Sequence, residues 1–178
     1  MKKTLFALAL GCAAMLVAKD IPVGLKNAKI GAPTLPGWIL NRSGKAADYG
    51  KGEIIAGSKA GEKAFKITAP ANLRAAFYTA SPFSVKVGQV LKISAKAKGK
   101  GTIIFGFYGY NNGSKFLGGI ADASKSFQLT EEMTELKAEI IVNKSTQGEL
   151  NTLRPAITVM KGGEAVLEDI EIEIEDKD

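Results

Sequence analysis

Histidine is absent from this 178-residue sequence, and cysteine and tryptophan each occur once, as Cys12 and Trp38. Without histidine the chain lacks the commonest general base and the commonest transition-metal ligand. Cys12 lies in an N-terminal stretch built like a secretory signal, so a chain freed of that stretch has neither a thiol nucleophile nor a disulfide. No Gly-x-Ser-x-Gly elbow, phosphate-binding loop or zinc signature occurs either. These absences point to binding rather than catalysis.

The signal-like stretch has three parts: Lys2-Lys3, the apolar run from Leu5 to Val17, and the small residue Ala18. Its run is too short, and too closely followed by Lys19-Asp20, to cross a membrane, which takes about 20 apolar residues. The expected organisation is a signal peptide over 1–18 and one domain over 19–178, secreted or periplasmic. Cleavage nearer Ala14 is the alternative boundary. Cys12 follows Ala9-Leu10-Gly11, which partly matches a lipoprotein box but lacks the usual Leu three residues before the Cys. Lipid anchoring through Cys12 is therefore the alternative to free export.

The formal charge is +6, and loss of Lys2 and Lys3 leaves a mildly basic +4. About 160 residues suit a single well-buried core. No repeat, low-complexity run or Pro/Ser-rich linker divides them.

Turn signals recur along the chain, and the segments between them alternate apolar with polar, the period of half-buried strands. Over Val85–Lys98, Val85, Val87, Leu91, Ile93, Ala95 and Ala97 oppose Lys86, Lys92, Lys96 and Lys98. Leu136, Ala138, Ile140 and Val142 oppose Glu135, Lys137 and Glu139; Ile170, Ile172 and Ile174 oppose Asp169, Glu171, Glu173 and Glu175. Further strands are predicted near 48–56, 62–69, 73–80, 102–110, 115–121 and 152–160. The expectation is an all-β, antiparallel two-sheet β-sandwich of about nine or ten strands, with a closed barrel as the lesser alternative. Leu129–Leu136 is allowed one helical turn at most.

Pro36-Gly37-Trp38, Gly61-Glu62-Lys63-Ala64-Phe65-Lys66-Ile67, the passage from Phe83 to Lys96 and the terminal Ala165-Val166-Leu167-Glu168-Asp169-Ile170-Glu171-Ile172 resemble, in order, the motifs of jelly-roll carbohydrate-binding modules of the CBM4/9/22 kind. These belong to the wider galactose-binding-like β-sandwich group. The resemblance spans nearly the whole of 19–178 and implies a jelly roll. Two departures stand out: Glu132-Met133-Thr134 replaces the family's usual tryptophan after the long mid-chain connection, and Val90 or Leu91 replaces a family tyrosine.

Thr102–Tyr110 breaks the one-face rule, since Ile103, Phe105 and Phe107 suit a core while Ile104, Tyr108 and Tyr110 point away from it. Arg74 and Tyr78 oppose Leu73, Ala75 and Phe77, and Arg154, Thr158 and Met160 oppose Leu153, Ile157 and Val159. Three arginines lie beyond the signal, and Arg74 and Arg154 are read as mid-strand residues. In the resembling modules the concave sheet offers rings and planar polar groups to a glycan, because the C–H face of a sugar packs on a ring while its hydroxyls need fixed partners. The resemblance therefore implies Tyr78, Tyr108 and Tyr110 as stacking residues, with Arg74, Arg154, Asn111 and Asn112 as hydrogen-bonding ones. The plainer reading makes these tyrosines sheet residues closing the rim, and makes Asn111-Asn112-Gly113-Ser114 a hairpin loop. Trp38 is assigned to the core.

Modules of the resembling kind often carry a structural calcium near the first and last strands, and Asp169 is at the matching position; a solvated strand face explains these acids without any ion. Two carboxylates set about 5 to 9.5 Å apart in a cleft, as glycoside hydrolysis requires, are not suggested by acids spread along outer strand faces. Nucleic-acid binding is disfavoured because the lysine face of 85–98 is offset by the acidic last strand. The reading is a non-catalytic domain that binds a polysaccharide or oligosaccharide; the competing class is a cell-envelope structural or protein-interaction domain.

Overall fold

A computed structural model describes residues 18–42, 48–112, 115–119, 125–143 and 148–177. The expected signal, apart from Ala18, lies outside these residues, as do Cys12, Gly113 and Ser114. Thirteen strands follow in order: β1 (Lys19–Asp20), β2 (Trp38–Leu40), β3 (Lys51–Ala56), β4 (Lys63–Thr68), β5 (Ala75–Thr79), β6 (Phe83–Ser84), β7 (Val90–Lys100), β8 (Thr102–Tyr110), β9 (Phe116–Gly119), β10 (Lys125–Gln128), β11 (Thr134–Ile141), β12 (Thr152–Val159) and β13 (Glu164–Glu175). One 3-10 turn, Leu25–Asn27, interrupts them.

The strands form two antiparallel sheets. Sheet A runs β11-β7-β13-β4-β3, with β1 also on β13. Sheet B runs β10-β8-β12-β5-β2, with β6 on β12 and β9 on β8. The predicted sandwich is the observed one. The count exceeds nine or ten because β1, β2, β6 and β10 are two to four residues long, too short to show a period.

Between the sheets lies one apolar core. Phe65 of β4 meets Phe77 of β5 edge-on across it, with ring centres 5.0 Å apart. Ile103, Phe105, Leu153 and Ile157 fill sheet B's inner face, while Leu91, Ile93, Ile172 and Ile174 fill that of sheet A. Each such side chain contributes about 1.5–3 kcal/mol by leaving water. Trp38 is buried in the same core, as expected.

The corner between β7 and β8 is a single residue, Gly101, with φ +82°. Gly99 before it has φ +144°, and a Cβ there would stand 2.0 Å from the Glu164 carbonyl oxygen, so only glycine fits. This corner sends the lysine-rich strand to sheet A and the aromatic one to sheet B.

One expected parity fails, and one strand changes parity part-way. Val87 is 44% exposed because the Lys86–Gln89 turn, closed by the Gln89 N–H donating to the Lys86 carbonyl at 3.2 Å, breaks the strand before β7 begins. In β13 the inward positions change from Ala165 and Leu167 to Ile170, Ile172 and Ile174, because the register against β7 shifts between Glu168 and Glu171. Asp169 takes φ +49° at this bulge.

Sheet A's outer face is a lattice of ion pairs: Lys66 with Glu164 at 3.1 Å, Lys96 with Asp169 at 2.8 Å, Lys137 with Glu135 at 3.0 Å, and Lys92 with Glu175. Among the described residues, no helix is long and apolar enough to cross a membrane.

Candidate functional site

Sheet B's outer face is built from alternate residues of β5, β12 and β8. In register, Arg154 lies opposite Tyr108, Ala156 lies opposite both Gly106 and Tyr78, and Tyr110 is flanked by Thr152 and Phe116. Small residues at Ala76, Gly106 and Ala156 leave a low floor between larger side chains. The rings form a chain, with Tyr78 edge-on to Tyr108 at 5.1 Å, Tyr108 6.0 Å from Phe116, and Phe116 5.7 Å from Tyr110.

The guanidinium of Arg154 lies between two of these rings, 5.8 Å from the centre of Tyr78 and 5.3 Å from that of Tyr110. Both distances allow attraction to the ring faces. Its Nε is buried and has no hydrogen-bond partner. Burial also pushes the Tyr110 hydroxyl above its ordinary pKa of 10.0, while nearby Arg154 pulls it the other way.

The remaining predicted residues divide. Tyr108 is on the expected face but is only 6% exposed, and its hydroxyl accepts a hydrogen bond from Asn41 Nδ2 at 3.1 Å. It forms the floor of the face, beneath the more exposed rings. Arg74 shares the parity of Tyr78 but precedes β5, so it is not mid-strand. Four residues of extended chain put its backbone about 13 Å from that of Tyr78, away from the ring cluster. Asn111 closes its loop, donating its N–H to the Lys115 carbonyl at 3.1 Å and accepting the Lys115 N–H on Oδ1 at 2.9 Å. The Asn112 N–H goes to Asn151 Oδ1 at 3.0 Å. The Asn111 side chain thus serves the turn, while Asn112 is held there through its backbone N–H.

Phe116 was not singled out by the sequence. It is 49% exposed beside Tyr110 and gives the face its most accessible ring. Only the β8–β9 register, which sets Phe116 opposite Tyr110, identifies it.

Charge separates sharply between the sheets. Among the described residues, no strand of sheet B contains Asp or Glu. Sheet A's strands carry ten of the chain's 18 acids: one each in β1 and β3, two in β11 and six in β13.

At the expected calcium position, Lys96 donates to Asp169 Oδ2 and holds that carboxyl below its ordinary range. Neighbouring Glu168 is 5% exposed, and its two oxygens accept the Ser58 N–H and hydroxyl, each at 2.7 Å. Lys63 Nζ donates to the carbonyls of Lys26 and Ala28 at 2.8 and 2.6 Å. Among the described residues, no three His, Cys, Asp or Glu side chains gather into a metal-binding group. Calcium takes six to eight oxygens, and the residues around Asp169 do not fit it. A cleft of about 930 Å³ does open here, between the Pro22–Asn27 segment and the Asp169 bulge.

No protein family and no curated protein matches the chain in sequence. Solved structures match it in fold. The CBM22-1 xylan-binding domain of Paenibacillus barcinonensis Xyn10C aligns at a TM-score of 0.55 and 13% identity, covering 83% of this chain and 92% of that one. A Stig cyclase, Fisc of Fischerella sp. TAU in complex with an indole compound, aligns at 0.58 and 10% identity, covering 91% and 100%. An arabinose-bound GH51 α-L-arabinofuranosidase aligns at 0.58 and 14% identity, with 85% of this chain spanning 25% of that one. The common feature is the fold, a jelly-roll β-sandwich of two antiparallel sheets.

Proposed function

We propose that this protein is an exported domain that binds a carbohydrate without acting on it, on the outer face of sheet B. The observation that carries this reading is Arg154 held between Tyr78 and Tyr110, with the exposed ring of Phe116 packed against Tyr110. Tyr110 and Phe116 offer ring surface for the C–H face of a sugar, and the guanidinium offers fixed donors for its oxygens. The same fold in a xylan-binding domain supports the ligand class. It does not select it, since a cyclase with an indole compound shares the fold.

The placement of carboxylates supports binding over catalysis. Glycoside hydrolysis needs two carboxyl groups facing each other across the sugar. The strands beneath the proposed site supply none, and five of the ten acids in sheet A's strands, Glu135, Glu139, Glu164, Asp169 and Glu175, pair with lysines on the other side of the sandwich. The test is a glycan array probed with the protein and with a Tyr110→Ala/Phe116→Ala variant. The reading expects binding that disappears in the variant. Silence from folded protein would favour the envelope interaction domain instead.

A further inference from the structure

Arg154 carries a positive charge into a face that, among the described residues, offers it no anion. It makes no ion pair among the described residues, its Nε is buried without a partner, and the strands of its sheet hold no carboxylate. On sheet A the arrangement is the opposite, with Lys66, Lys92, Lys96 and Lys137 each within 4.0 Å of a carboxylate. A partly buried guanidinium without a carboxylate partner is costly, and an anionic ligand would relieve that cost.

The rings on either side restrict how the guanidinium turns, and its planar fork matches a carboxylate better than a hydroxyl. We infer that the glycan is acidic: a uronic-acid polysaccharide whose carboxylate pairs with Arg154 while its ring packs on Tyr110 and Phe116. The inference rests on the carbohydrate reading above and narrows its ligand to a chemical class.

The test titrates the protein with polygalacturonate, alginate, methyl-esterified polygalacturonate, neutral xylan and dextran sulfate, alongside Arg154→Gln and Lys98→Gln variants. Losing a charge-assisted pair weakens binding about tenfold or more, so at least one uronate should bind that much more tightly than the ester and the xylan. The margin should vanish in Arg154→Gln and survive in Lys98→Gln, whose lysine lies on sheet A. The comparison of acid with ester uses the unaltered protein and stands even if Arg154→Gln fails to fold. Equal or tighter binding of ester or xylan overturns the acidic ligand and leaves the carbohydrate reading in place. Equal binding of dextran sulfate overturns carboxylate recognition in favour of general attraction to anions. No binding of any polysaccharide overturns both.

Discussion

Asn41 Nδ2 donates to the Tyr108 hydroxyl at 3.1 Å, tying the chain just beyond β2 to the middle of β8. The bond fixes Tyr108 as a floor residue. Tyr108→Phe should therefore lower unfolding free energy by about 0.5–1.5 kcal/mol, and Tyr108→Ala by about 3–5 kcal/mol, in urea titrations. Glycan affinity of the Phe variant should be unchanged. Weaker binding at unaltered stability would make Tyr108 a ligand ring.

Phe105 is fully buried on the inner face of β8 and packs 5.5 Å from Phe127. Phe105→Ala should cost about 3–5 kcal/mol through the cavity it opens, measured by the same unfolding experiment. A near-neutral result would mean that the two faces of β8 are exchanged.

Glu168 and Ser58 make the clearest polar anchor of sheet A. Ser58→Ala removes the hydroxyl bond to the buried carboxylate and should cost about 1.5–3 kcal/mol. Lys98→Gln, on an exposed side chain of the same sheet, is the control and should change stability by less than about 0.5 kcal/mol.

The Lys96–Asp169 pair sets a pH dependence. The Lys96 hydrogen bond lowers the Asp169 pKa below its ordinary 3.8, so its contribution to stability is present above that value and is lost as pH falls through the lowered one. The same bond to Asp169 raises the Lys96 pKa above 10.5, so that contribution is present below 10.5 and is lost as pH rises through the raised value. Both groups are exposed and the effect is small. The stability difference between the protein and Asp169→Asn should be constant from pH 5 to 9 and shrink in acid below the ordinary Asp range. A difference that persists unchanged down to pH 2 would contradict the pairing.

Much of the sandwich is legible in the sequence wherever a strand is long enough to show its period. Thr102–Tyr110 announces both a core face and a second ring-bearing face, and β8 has those bounds. The change of parity between Leu167 and Ile170 is likewise a readable sign of the bulge, although nothing local says that Glu168 turns to Ser58 and becomes buried. Long-range partners hide the rest. Tyr108 is covered because Asn41, 67 residues away, and the rings of Tyr78 and Phe116 converge on it. Phe116 joins the site only through the hairpin register, and Arg74 leaves it because β5 starts one residue later.

The most direct test of the account is to follow backbone amide resonances while the protein is titrated with its best array glycan. The account predicts shifts confined to β5, β8, β9 and β12 around Tyr78, Tyr110, Phe116 and Arg154, with alanine at Tyr110 or Phe116 costing about 1–3 kcal/mol of binding each. Shifts centred on sheet A, or on the cleft beside Asp169, would contradict it.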